Sequence, residues 1–132
     1  MTPASFINLD LELSSAVDLT DLATHWSKQA FILFHGETGT EYKLVAELID
    51  SAMGEDALAC TERFLRLISA LPPALLGLWH QCSSRVFDYG FDGGLEDPPL
   101  QTTLSSAVLL RMAELGIDLR ITVYPFRDVA SE

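Results

Sequence analysis

The chain has 132 residues, 48% of them apolar and 20% charged, and 19 acids against 8 bases give it a net charge of −11. This length is typical of one domain, and the apolar content excludes an intrinsically disordered chain. The acidity argues against nucleic acid and anionic membranes as partners, because both require a basic surface. We predict a single domain over residues 1–132, whose charge either serves solubility or attracts a basic protein.

The N-terminus and the cysteines predict the compartment. Residues 1–5 contain no basic residue, and no later apolar run approaches the length of a membrane span. Cys60 and Cys82 are too few for a disulfide framework, so we expect reduced thiols. The sequence therefore predicts a cytoplasmic protein without membrane contact.

The first half of the chain predicts a strand, a helix and a β-hairpin. Polar and apolar residues alternate over residues 6–13, as in a half-buried strand. Apolar residues then recur at helical spacing: Leu19, Leu22, Ala23 and Trp26. Residues 30–34 and 40–49 are typical of two strands, and Gly36 and Gly39 bracket the turn between them.

The middle of the chain predicts helices and a further strand. An amphipathic helix is expected over residues 55–71, and Pro72 and Pro73 end it. Pro73 suits the first turn of a shorter helix that reaches His80. Residues 85–91 are then typical of a strand with its three aromatic residues on one face.

The C-terminal part predicts a weak strand over residues 100–104, then a helix that Ser105 or Ser106 caps. Four residues of this helix are expected to point inward: Val108, Leu109, Met112 and Leu115. Gly116 is expected to end the helix, with Ile117 as its hydrophobic follower. A final strand over 119–126 and a loose tail over 127–132 complete the chain.

The resulting order is β-α-β-β-α-β-β-α-β, with the second helix split at the prolines. The first six elements match the ferredoxin-like order, and a further β-α-β follows them. We therefore predict an α+β fold of two layers, with a mostly antiparallel sheet and its helices on one face.

One pentapeptide, Leu-Ser-Ser-Ala-Val, occurs twice, at residues 13–17 and 104–108. Each copy follows a predicted strand and precedes a predicted helix, where serine hydroxyls satisfy free backbone amides. We interpret the repeat as two capped helix starts. A duplicated βα unit and a pair of anion sites are the alternatives.

The residues that usually carry chemistry are isolated. His25, His35 and His80 have no ligand neighbours at zinc-site spacing. His80 lies two residues from Cys82, but little beyond Arg85 could stabilise a thiolate there, so we favour structural roles. Phosphate-binding and dinucleotide-binding glycine motifs are missing from the sequence. We predict no catalytic residue, no metal ligand and no cofactor.

An acidic loop near residues 88–99 is the least ordinary segment. It mixes glycines and prolines with four acids, which are Asp88, Asp92, Glu96 and Asp97. Their order differs from that of a calcium loop. A solvated loop explains the composition without a function. If the loop has one, we predict that its carboxylates and exposed aromatic residues bind a basic partner.

The run from residue 104 to residue 119, which continues to Tyr124, resembles the helix–Gly–strand ending of small bacterial proteins with domains of unknown function. The run includes Arg111-Met112-Ala113-Glu114-Leu115-Gly116-Ile117. Some of those proteins are found near polymorphic toxin systems, so the resemblance implies an immunity role. It transfers no active-site residue.

Three hypotheses follow. The first is a non-enzymatic protein-binding module, in its most concrete form an immunity-type inhibitor of a basic toxin domain. The second is a small metal-dependent hydrolase that uses Asp88, Asp92 and a histidine. The third is a structural homodimer that pairs through a sheet edge or an apolar helix face.

Overall fold

The computed structural model describes residues 3–48, 56–95 and 98–125. Its elements are β1 (Ser5–Ser15), α1 (Thr20–Trp26), β2 (Ala30–Thr38), β3 (Glu41–Leu48), α2 (Ala57–Ser69), α3 (Pro73–Gln81), β4 (Cys82–Asp92), α4 (Ser106–Glu114) and β5 (Asp118–Tyr124). The predicted loose tail over 127–132 lies outside the described residues.

The five strands form one sheet in the order β2-β3-β1-β4-β5. All neighbours are antiparallel except β4 and β5, which are parallel. The first four strands have the ferredoxin-like order, and β5 extends the sheet beyond β4. The predicted α+β fold with a mostly antiparallel sheet is confirmed.

The helices cover one face of this sheet. Apolar residues alternate along the strands, so their side chains share that face and pack against the helices. On β1, for example, Leu9, Leu11 and Leu13 are fully buried. They belong to a hydrophobic cluster with residues of all four helices, including Trp26, Phe64, Trp79 and Met112. The other sheet face carries the polar residues of the alternation, and we call it the open face.

The predicted strand over residues 100–104 is wrong, since these residues lie in an irregular segment. β4 already pairs with β1 on one side and with β5 on the other, so it has no free edge for a further strand. Pro98 and Pro99 also lack the N–H groups that a strand start would donate. The appended unit is therefore α4 followed by β5.

The predicted inward face of α4 is correct in part. Val108 and Met112 are buried, and Leu115 packs against the core. Leu109 was predicted to point inward and is instead 44% exposed. It lines a surface recess beside β5, because α4 does not reach over that strand.

The end of α4 confirms the prediction for Gly116, which adopts a positive φ of 72°. The Ile117 N–H donates to the Met112 carbonyl at 2.9 Å, as in a Schellman cap. The Arg85 guanidinium donates to the Gly116 carbonyl at 3.2 Å and to the Trp79 carbonyl at 3.0 Å. A Cβ at Gly116 would lie 2.6 Å from that guanidinium and would make it shift, but it is the positive φ that favours glycine here.

The two copies of the pentapeptide adopt different structures. Ser105 is the N-cap of α4, and its hydroxyl accepts a hydrogen bond from the Val108 N–H at 3.2 Å. Ser15 instead ends β1, is fully buried and accepts from the Val17 N–H at 3.0 Å. Leu19 is the N-cap residue of α1 and provides no side-chain cap. The prediction of two equivalent capped helix starts is thus correct for the second copy only.

Candidate functional site

The structure describes two of the four acids that were predicted to bind a partner, and it places them at different positions of β4. Asp88 lies in the middle of β4, on the open face, and not in a loop. Asp92 is the exposed last residue of β4. Glu96 and Asp97 lie outside the described residues. Asp88 therefore belongs to the surface of the sheet, and its neighbours are strand residues.

A row of three carboxylates crosses the open face. Asp10 on β1 is directly opposite Glu47 on β3 and directly opposite Asp88 on β4. Neighbouring strands lie about 4.8 Å apart, so three acids stand side by side on three adjacent strands. Like charges in such cross-strand pairs repel one another. We call Glu47, Asp10 and Asp88 the carboxylate row.

The repulsion concentrates on Asp10. Partial burial raises the pKa of its carboxyl from an ordinary value of 3.8 to about 7, and Glu47, Asp88 and Glu12 add to the rise. Asp10 Oδ1 is buried and has no hydrogen-bond partner among the described residues. Near neutral pH the Asp10 carboxyl is therefore partly protonated. The repulsion within the row would be relieved by a positively charged group.

The two ends of the row are better satisfied than its centre. At one end, the Asn8 amide donates to Glu47 at 3.2 Å. At the other end, Arg120 lies 3.4 Å from Asp88, and the Thr122 hydroxyl donates to Asp88 at 2.7 Å. These contacts fix the outer carboxylates, whereas Asp10 Oδ1 is buried without a partner and no cationic side chain among the described residues contacts Asp10.

The Asn8 side chain lies close to the backbone of Gly90 on the neighbouring strand. Asn8 pairs with Gly90 on β4, and a Cβ at Gly90 would lie 2.6 Å from the Asn8 side-chain oxygen. Glycine at this position therefore leaves the space in which the Asn8 amide turns toward Glu47.

Charge on the rest of the open face has the same sign. The strand registers place seven acids on this face: Asp10, Glu12, Glu41, Glu47, Asp88, Asp92 and Asp118. Among the described strand residues, the bases on the face are Lys43 and Arg120. Arg120 is also bound to Glu12 at 3.0 Å. The face as a whole is therefore acidic.

Exposed aromatic rings flank the row on its β3 side. Phe31 on β2 is directly opposite Glu47, and it is 54% exposed. Phe34 is directly opposite Val45, one position along the same face, and it is 42% exposed. Large exposed rings beside a charged patch are typical of protein-binding surfaces.

The histidines do not join the acids. His35 lies on β2, which β3 and β1 separate from β4 by about 14 Å. His25 and His80 are exposed on helices, across the sheet from the open face. Across residues 3–48, 56–95 and 98–125, no three histidines, cysteines or acids are close enough to hold a metal ion.

A hydrogen-bonded chain joins Asp18, Thr20 and His35 at the surface. The Thr20 hydroxyl donates to Asp18 at 2.6 Å and lies 3.1 Å from His35 Nε2. A nucleophilic triad places the imidazole between the hydroxyl and the carboxylate. Here the hydroxyl is the central group and acts as a structural link between β2 and the start of α1.

Cys82 is not an activated thiol. Its sulfur is buried at the start of β4, and burial raises its pKa to about 11 in spite of the nearby Arg85. The thiol therefore stays protonated at neutral pH and lacks the thiolate that a nucleophile needs.

Sequence reasoning missed Asp10 and Glu47. Both are polar members of alternating strands, where an acid is the ordinary solvent-facing residue. Their significance depends on which strands are neighbours and in which register. The available signal was an acid within each of the segments 6–13, 40–49 and 85–91, since these three segments are adjacent in the ferredoxin-like order.

No known protein family, curated protein or solved structure matches this chain. The resemblance of residues 104–124 to small bacterial proteins of unknown function therefore stays a prediction. None of the described helices is long and apolar enough to span a membrane.

Proposed function

We propose that this protein is a non-enzymatic binding protein and that its open face binds a basic protein surface. The observation that carries the proposal is Asp10, whose carboxyl lies between two other carboxylates and has no cationic side chain in close contact among the described residues. A Lys or Arg from a partner would relieve this repulsion in the complex. The same residue would lower the pKa of Asp10 and keep it ionised.

A protein surface suits the open face better than a small cation does. The carboxylate row runs across three strands and does not form a closed cage. Phe31 and Phe34 add exposed rings, which serve as anchors at interfaces and can stack on guanidinium groups. Electrostatic complementarity of this kind speeds association and selects partners by charge.

The specific form that we propose is an immunity-type inhibitor of a basic toxin domain. Its support is the acidic open face together with the resemblance of the C-terminal helix and strand to proteins found near toxin systems. Such an inhibitor acts by occupying a basic functional surface, so it needs complementary charge and no catalytic group.

The test compares two variants of equal nominal charge change. In the row variant, Asp10→Asn, Glu47→Gln and Asp88→Asn remove the carboxylate row. The control variant removes three exposed acids elsewhere, with the changes Asp21→Asn, Glu37→Gln and Glu114→Gln. Each protein is immobilised at low salt, and a host lysate is passed over it.

We expect the wild type and the control to retain the same basic protein, which mass spectrometry identifies. The row variant is expected to bind it at least about tenfold more weakly, because three charge pairs at roughly 0.5–1 kcal/mol each are lost. Equal retention by all three proteins, or an acidic captured protein, would refute the proposal. If a basic toxin domain is captured, co-expression should restore growth with the wild type and fail with the row variant.

A further inference from the structure

β5 is a sheet edge without the usual protection. Within the described residues it pairs with β4 alone, and the pairing runs over seven residues without a register shift. The opposite edge, β2, is interrupted by a register shift between Ile32 and Phe34 and contains Gly36. Bulges, prolines and short length normally keep edges from pairing with other chains. β5, with neither glycine nor proline, has none of these three devices, and its charged residues, Asp118 and Arg120, both lie on the open side of the strand.

The side of β5 that faces the helix layer is apolar and uncovered. Leu119, Ile121 and Val123 share this side with the buried aromatic residues of β4. Their exposed fractions are nevertheless 44%, 60% and 62%. Four of the seven residues of β5 are exposed apolar or aromatic residues, Tyr124 being the fourth.

Two apolar recesses lie along the same strand. One has a volume of about 250 Å³ and is lined by Leu104, Leu109, Leu119 and Ile121 among others. The second has a volume of about 280 Å³, and Leu100 and Val123 contribute to it. Thr102 lines both, so the recesses adjoin and extend the apolar surface beyond the strand.

We propose that a second copy of this chain pairs antiparallel with β5, so that two five-stranded sheets join into one. The sequence of β5 is complementary to itself when the twofold axis passes through Ile121. In that register Leu119 faces Val123 of the other copy, and Ile121 faces its own counterpart. All the exposed apolar side chains of the helix-layer side then meet.

Charge supports the same register. On the open side of the strand, Arg120 is opposite Thr122 of the other copy, and Asp118 is opposite Tyr124. No two like charges are directly opposite, although each copy carries a net charge of −11. A twofold axis perpendicular to the sheet also leaves both carboxylate rows on the same side, where one partner could contact both.

The interface is small. A seven-residue edge is about 23 Å long, and strand pairing with the adjoining recesses covers less than the roughly 800 Å² per partner of a standard interface. We therefore expect a reversible dimer rather than a permanent one. Because both copies are acidic, salt should tighten this dimer, whereas salt should weaken the binding of a basic partner.

Sedimentation equilibrium tests the dimer from about 1 µM to about 1 mM, the range of dissociation constants expected for a small interface. The average mass should rise from one chain toward two as the concentration increases, and added NaCl should shift this rise to lower concentrations. Ile121→Lys should stay monomeric, because two lysines would meet on the twofold axis. The control is Leu33→Lys on β2, where Leu33 is 54% exposed, and it should dimerise as the wild type does.

Three results would overturn the proposal: a monomeric wild type throughout, a dimer that Ile121→Lys leaves unchanged, or a mass that climbs past two chains. Binding of a basic partner to the open face should survive Ile121→Lys, and dimerisation should survive loss of the carboxylate row. The failure of one proposal is thus distinguishable from the failure of the other.

Cross-linking provides a second measurement that does not depend on the lysine variants. Residues directly opposite in antiparallel strands have Cα atoms about 4.5–5.5 Å apart, which lies within disulfide range. Ile121→Cys should therefore form a disulfide-linked dimer under mild oxidation. Leu33→Cys, at the other edge, should not. Equal cross-linking of the two variants, or none with Ile121→Cys, would contradict pairing at β5.

Discussion

At the scale of single residues, Asp10 couples the fold to the proposed function. Its backbone occupies an ordinary strand position, and its side chain faces the open side as the alternation of β1 requires. The cost of its charged form arises from partial burial and, in addition, from Glu47 and Asp88, which are directly opposite it on the two adjacent strands. Charge repulsion at a binding surface destabilises the free protein and is relieved on binding.

The raised pKa of Asp10 predicts the sign of a pH effect on stability. Since the folded-state pKa is about 7 against 3.8 for the free side chain, the folded protein binds more protons than the unfolded chain between these values. The contribution of Asp10 to the free energy of unfolding therefore falls as pH rises from about 4 to about 7.

We expect Asp10→Asn to remove much of this decline, because asparagine can donate to Glu47 as the protonated carboxyl does. Relative to the wild type, the variant should gain about 1 kcal/mol between pH 5 and pH 8 in urea unfolding, after allowance for solvent screening. Asp10→Glu retains the acid and serves as the control, with a pH dependence like that of the wild type. A stability difference that is the same at both pH values would contradict the assignment.

At the scale of elements, identical local sequences lead to different structures. Ser105 caps α4, whereas the equivalent Ser14 belongs to β1 and α1 begins only at Thr20. β1 is paired on both sides, and its backbone hydrogen bonds with β3 and β4 extend to Ser15. Residues 100–104 have no such pairing, so the second copy is free to start a helix. Tertiary pairing thus overrides capping preference in the first copy.

The role of Ser105 as the N-cap of α4 can be tested by comparing substitutions at Ser105 and at the adjacent Ser106. Ser105→Ala removes the hydroxyl that accepts from the Val108 N–H, so it should destabilise the protein by about 1 kcal/mol. Ser106→Ala lies in the first turn, where alanine is the better helix former, and should be neutral or slightly stabilising. Chemical unfolding of both variants gives the comparison. Equal losses for the two would show that Ser105 is not the cap.

At the scale of the whole molecule, part of the net charge of −11 lies on the open face of the sheet, where the strand registers place seven acids and two bases. The helix layer covers one sheet face only, so the acids of the open face share one surface. Screening of this repulsion should raise the melting temperature by a few degrees as NaCl goes from about 0.02 M to about 0.2 M. Calorimetry at pH 8 measures it, and the row variant of the proposed binding site should show a smaller rise. A melting temperature that falls with salt would contradict the expected repulsion.

The sequence by itself determined the α+β class, the end of α4 at Gly116 and the order of the described helices and strands, apart from the strand wrongly expected over residues 100–104. These features depend on periodicity over a few residues and on local backbone requirements, both of which can be read along the chain. It also identified Asp88 and the acidity of the surface, but it placed Asp88 in a loop.

Only the tertiary structure decided which acids meet, which strand is an edge and which serine is a cap. Asp10, Glu47 and Asp88 are far apart in the chain, and their contact depends on strand order and register. A shift of one residue in either pairing would move an acid to the core side of the sheet. The exposure of β5 also depends on the tertiary structure. An apolar strand sequence such as that of β5 is typical of a buried central strand, and only the positions of the neighbouring helices and strands show that β5 is an exposed edge.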